Sequence, residues 1–107
     1  MANNYKNAKL DLTATTATTL YTCPGATTAI FKSFLVCNDS AHNDTITVTI
    51  TDADSNLFCV YSVKAISGPA TEELLTAPLV VQENKIVKVT AATADRLHVV
   101  ASFLEVT

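Results

Sequence analysis

Few side chains in this sequence could do chemistry near neutral pH, and they are scattered. The two histidines are His42 and His98, and the three cysteines are Cys23, Cys37 and Cys59. Nucleophilic catalysis needs a thiol or hydroxyl, a base within reach and a group that orients the base. Cys37, Asp39, His42 and Asp44 form the one stretch that mixes thiol, imidazole and carboxylate. Cys37 ends the preceding apolar run, and the others fall in residues 38–44, which hold no large hydrophobe and read as a loop, where such neighbours are expected to be solvated. His98 shares a parity with Val100 and Leu104 inside an apolar run and reads as a hydrogen-bonded strand histidine. No catalytic residue is assigned.

Metal chemistry fares no better. The cysteines are odd in number and lack a CxxC pair, so a zinc site would want for ligands, and buried reduced thiols acting as small hydrophobes are expected. A disulfide is not expected either. Asp52-x-Asp54 resembles the start of a calcium loop, with Asp39 and Asp44 as further carboxylates. But Leu57 stands where that loop needs glycine and Val63 where it needs glutamate. Solvated turn aspartates are the better reading. Glu72 and Glu73 are adjacent and do not make an acid/base pair. With two glycines there is no phosphate-cradling loop, and the absence of tryptophan weakens a carbohydrate platform. No cofactor is implied.

The elements that would position these residues are strands. The chain has 107 residues, 49% of them apolar and 16% charged, against about 25% charged in an average domain. Threonine, with 17 copies, supplies much of the polar surface, and its branched Cβ favours a strand. A net charge of −3 argues against nucleic acid, and no apolar run is long enough to span a membrane as a helix. Residues 1–9 lack the apolar region of a signal peptide, so synthesis and folding in a cytoplasm are expected.

Along the chain, residues 1–8 read as a flexible or partner-bound arm and residues 9–107 as one domain. A first strand is expected at 9–12, a Thr/Ala turn at 13–19, a strand at 20–23, and a Pro24-Gly25 turn. In residues 28–37 both parities are largely apolar, which predicts a central strand covered on both faces. Residues 45–52 alternate most cleanly. Ile46, Val48 and Ile50 should face a core, while Thr45, Thr47 and Thr49 face outward. Residues 57–63 return as its hairpin partner. Residues 71–75 could be a strand or a helical turn. Short strands follow at 78–81 and 86–90, and a long one at 97–106 is again apolar on both parities. Eight or nine strands with frequent turns predict an antiparallel β-sandwich of jelly-roll or related Greek-key topology. The surplus apolar faces call for cover by the arm or by another chain.

The run Thr19-Leu20-Tyr21-Thr22-Cys23-Pro24 leads into Thr28-Ala29-Ile30-Phe31-Lys32-Ser33-Phe34-Leu35-Val36-Cys37-Asn38. Later come Glu73-Leu74-Leu75-Thr76-Ala77-Pro78-Leu79, Ile86-Val87-Lys88-Val89-Thr90-Ala91 and Arg96-Leu97-His98-Val99-Val100-Ala101-Ser102-Phe103-Leu104-Glu105. Over most of its length the chain resembles small virion structural proteins of tailed bacteriophages, notably of cyanobacterial and marine phages. That resemblance implies a non-enzymatic β-sandwich subunit of a virion, often oligomeric, with a trimer favoured. The first expectation is a capsid decoration (cement) protein bound to the major capsid protein. The alternatives are a neck, tail or fibre-base component, or a free-standing binding module.

Overall fold

The computed structural model describes residues 3–52 and 56–107. Among them the chain is all-β, with nine strands: β1 (Asn3–Asp11), β2 (Thr18–Thr22), β3 (Thr28–Asn38), β4 (Asp44–Thr51), β5 (Leu57–Ile66), β6 (Ala70–Glu73), β7 (Leu79–Val81), β8 (Ile86–Ala91) and β9 (Leu97–Val106). They form two antiparallel sheets arranged as a sandwich. Sheet A runs β1–β9–β3, with β6 and β7 both paired along the remaining edge of β3. Sheet B runs β2–β8–β4–β5. Pairing is nested in the chain: β4 with β5, β3 with β6 and β7, β2 with β8, and β1 with β9.

β4 follows its alternation. Ile46 and Val48 are fully buried, Ile50 packs against the core, and Thr45, Thr47 and Thr49 lie partly exposed on the other face. β9 buries Leu97, Val99, Ala101, Phe103 and Glu105, and turns His98, Val100, Ser102, Leu104 and Val106 outward. The core between the sheets is anchored by rings. Phe31 and Phe103 of sheet A stack at 4.8 Å, and Tyr21 of sheet B meets Phe103 at 4.5 Å and Phe31 at 5.5 Å. Burying each such ring stabilises the fold by about 1.5–3 kcal/mol.

β3 corrects the expectation of two covered faces. A β-bulge lies between Phe31 and Ser33 in its pairing with β9. An extra residue in one strand switches which parity faces inward. Ala29 and Phe31 before it, and Phe34, Val36 and Asn38 after it, therefore all point into the core. Apolar residues on both parities of β3 record this phase change. The outer face of sheet A stays open, with Leu35 38% and Val100 37% exposed.

The first strand also starts earlier than its apolar residues suggest. Residues 3–8, expected to belong to an arm, are part of β1, which pairs with β9 from Asn3↔Val106 to Asp11↔His98. β1 extends sheet A sideways and does not cover its open face. Its polarity fits an edge strand, most of whose side chains are exposed. Residues 70–73 are strand, and residues 74–78, including Pro78, break the edge into β6 and β7. Left-handed backbone at Asn84 and Asp95 makes the β7–β8 and β8–β9 turns, as these short polar side chains allow.

Candidate functional site

The loop that holds His42 is organised by a buried asparagine. Asn38 Nδ2 donates to the carbonyls of His42 (2.8 Å) and Ile66 (3.1 Å), and its Oδ1 accepts from the Ser40 amide (3.0 Å) and hydroxyl (2.7 Å). Gly68 closes over this loop. A Cβ there would lie 2.5 Å from the carbonyl oxygens of Ser40 and His42, so no side chain fits. His42 itself is exposed. Asp44 is buried, and its carboxylate accepts from the amides of Thr45 (2.8 Å) and Thr93 (3.1 Å). The 39–43 loop is thus framed by Asn38 of β3 and Asp44 of β4, and the carboxylates and imidazole of the 37–44 stretch are turned to different tasks.

What the fold does bring together is Asp11, Asp39 and His98. His98 Nε2 lies 3.0 Å from Asp39 Oδ2, and Nδ1 lies 3.5 Å from Asp11 Oδ1. Cys37, half-buried, is the β3 residue paired with His98. Asp11 and His98 are 87 positions apart, and only the β1–β9 register joins them. No local spacing could have signalled the group. Both ring nitrogens are turned to carboxylates, and neither is turned to a thiol or hydroxyl it could activate. All three side chains are about half exposed, a setting in which ion pairs contribute about 0–1 kcal/mol. The arrangement staples β1, β9 and the β3–β4 loop at one end of sheet A.

A second polar group crosses the sandwich. Glu105, buried on β9, takes the Lys6 ammonium at 2.7 Å on Oε1 and the Tyr21 hydroxyl at 2.5 Å on Oε2. Lys6, then Tyr21, hold the Glu105 carboxyl below its ordinary pKa against the opposing effect of burial. Burial, followed by the hydrogen bond to Glu105, pushes the Tyr21 phenol well up, so it stays a neutral donor. This group links β1 and β9 to β2 of the other sheet. Its polar atoms face one another, so its role is structural.

The remaining candidates stay apart. Glu72 and Glu73 face opposite sides of β6. Burial pushes the Glu73 carboxyl up, but the Ser33 hydroxyl, the Phe34 amide (2.6 Å) and the amides of Leu75 and Leu74 together outweigh it and lower its pKa. Asp52 receives the Asn56 amide at 3.0 Å, as a turn aspartate does; Asp54 lies outside the described residues. Cys23 is buried with its thiol 3.3 Å from the Thr27 carbonyl, Cys37 is half-buried and Cys59 exposed. Among the described residues no three His, Cys, Asp or Glu side chains are placed to hold a metal ion. A polar groove between residues 26–28 and 82–85 is open, and the Glu83 carboxylate there is taken by the Ala26 amide at 2.7 Å.

The two outer faces differ in kind. On sheet B, Thr19, Lys88, Thr49 and the exposed Cys59 form one cross-strand row and Thr90 and Thr47 the next, while Leu57, Phe58 and Val63 are exposed along the edge strand β5. On sheet A, Tyr5, Leu104, Ile30 and Val80 line up across four strands, and a second row reads Lys9, Val100, Leu35 and Glu73. Between these rows lie the small Asn7, Ser102 and Ser33. Tyr5 is 78% and Val80 52% exposed. This open apolar face, and not a cluster of reactive groups, is the candidate functional surface. Compared with family models, curated proteins and solved structures, the chain matches none.

Proposed function

We propose that the chain is a non-enzymatic structural subunit of a tailed-bacteriophage virion, acting as a capsid decoration protein. It would be made in the host cytoplasm and bound to the particle through protein–protein contacts. The observation that carries this reading is the open apolar face of sheet A, whose hydrophobes line up in rows across four strands, set against the threonine rows at the centre of sheet B. A surface of aligned exposed hydrophobes is a binding surface for protein. The nested strand pairing also supports it. Rolling up a strip of paired strands gives this order, and we read the fold as a jelly roll, the architecture that the resemblance to phage subunits implies. The Glu105–Lys6–Tyr21 group and the Asn38 frame add support of another kind, because their polar atoms are spent on one another and on the backbone.

Copy number in purified particles of a phage encoding this chain tests the reading. Quantitative mass spectrometry should find hundreds of copies per particle, in proportion to the major capsid protein. A few to a few dozen copies would move the chain to the neck, tail or fibre base. Absence from the particle would overturn the virion reading altogether.

A further inference from the structure

We infer that the outer face of sheet A binds the same face of a second copy of this chain, about a two-fold axis parallel to the strands and passing between β9 and β3. The inference stands on the chemistry of the same face that carries the virion reading; a pair closed this way would leave the sheet B faces and the edges for the particle, and the two readings are tested separately.

The cross-strand rows carry the argument. In a face-to-face pairing about such an axis, each row meets its own reverse. The row Tyr5, Leu104, Ile30, Val80 then sets Tyr5 against Val80 of the second copy and Leu104 against Ile30. All four are apolar in both directions, so the row is self-complementary. The row Lys9, Val100, Leu35, Glu73 sets Val100 against Leu35. Its ends bring Lys9 against Glu73 of the second copy, twice by symmetry. A cation at one end of a row and an anion at the other is the pattern an isologous contact requires, since each residue meets what lies at the mirrored position. The intervening row of Asn7, Ser102 and Ser33 is small and leaves room for the flanking hydrophobes to close. Lys32, at the bulge between the rows, is exposed on a long flexible stem that can lead its ammonium out of the contact.

Size and geometry agree. Four strands at about 4.8 Å spacing and a ten-residue strand rising roughly 3.3 Å per residue give a face of about 600 Å² in plan. Side-chain relief makes its accessible area larger, close to the ~800 Å² per partner of a standard interface. Aligned sheets stack face to face about 10 Å apart with strand directions within about 30° of each other, a geometry open to this face because β1 extends it sideways and does not lie over it. The face of sheet B offers no such match. Its central rows are threonines with Lys88, and its exposed hydrophobes Leu57, Phe58 and Val63 lie along the irregular edge strand β5 and form no row across the sheet.

Sedimentation equilibrium on the purified chain tests the inference. The wild type should form a dimer at tens of micromolar or below. Leu35→Lys and Val100→Lys should each weaken it by at least about tenfold, equivalent to ~1.4 kcal/mol. Thr49→Lys, on the outer face of sheet B, should leave it unchanged. Lys9→Glu should also weaken it, and adding Glu73→Lys should restore it. Circular dichroism on each variant separates lost pairing from lost folding. If Glu73→Lys unfolds the chain, the two apolar-row variants carry the test. A monomer at about 100 µM, a trimer, or a dimer indifferent to both Leu35→Lys and Val100→Lys would overturn the pairing. None of these outcomes bears on whether the chain is found in particles, which the copy-number measurement decides.

Discussion

Glu105 shows how one buried carboxylate couples the fold to pH. It joins β1 through Lys6 and β2 through Tyr21, so its charge holds elements from both sheets. Its pKa is lower in the folded chain than the roughly 4.3 of a free glutamate. A depressed carboxyl contributes stability that is present above the unfolded pKa and is lost as pH falls through the folded one. Glu73 has the same sign, its carboxylate held by Ser33 and Phe34 against burial. Tyr21 has the opposite sense. Its pKa is raised, so its contribution is present below about pH 10 and is lost only as pH rises through the folded value. Glu105→Gln should therefore be destabilised most near neutral pH, and the gap to wild type should narrow from pH 6 toward pH 2. Urea denaturation across that range checks it. A gap that does not change with pH would mean that Glu105 acts by shape and not by charge. The sequence showed Glu105 only as a polar residue in an apolar run. Its partners sit 84 and 99 positions away, beyond any local pattern.

Strand alternation was legible wherever one strand kept one phase, and it misled wherever a bulge changed the phase. β4 alternates Thr45, Ile46, Thr47, Val48 without interruption, and its faces are those the sequence predicts. β3 carries hydrophobes on both parities because the bulge at residues 31–33 reverses it, and a reading by parity alone turns that into two-sided burial. β1 was the opposite case, since a polar edge strand has no apolar period to find. β5 combines both effects. It is the edge of sheet B, pairs with β4 through two register shifts, and leaves Leu57, Phe58 and Val63 exposed. Val63 sits in left-handed backbone, φ 50°, with its amide donating to the Thr47 hydroxyl at 3.1 Å. A β-branched residue is strained there, by about 1–3 kcal/mol. The irregularity twists the edge away from further strand pairing, which offsets the hazard of an apolar edge. Val63→Gly should keep the bulge and relieve the strain, raising stability by about 1 kcal/mol after the roughly 0.5–1 kcal/mol entropic cost of glycine. Chemical denaturation reads this directly. A lower midpoint in the variant would show that the Val63 side chain, and not its backbone, governs the bulge.

Across the whole molecule, nested pairing fixes how the chain must close. The β4–β5 hairpin joins neighbours in sequence, β3 finds β6 and β7 across it, β2 finds β8 across those, and β1 meets β9 from the far end. Closing a loop costs entropy that grows as the logarithm of its length, so the outer pairs are favoured only after the inner ones have shortened the path. Such non-local topology places folding in the millisecond-to-second range. Ile46 lies on β4, fully buried between β5 and β8, while Leu10 lies half-buried on β1. Ile46→Val, which removes about 0.5–1.5 kcal/mol of packing, should slow folding more than it speeds unfolding. Leu10→Ala should do the reverse if the outermost pair, β1 with β9, closes after the transition state. Stopped-flow chevrons in a Leu35→Lys background, which removes the face-to-face contact, separate the two. If Leu10→Ala slows folding and Ile46→Val speeds unfolding, closure begins from the chain ends. The β1–β9 pair would then be the nucleus around which both sheets assemble.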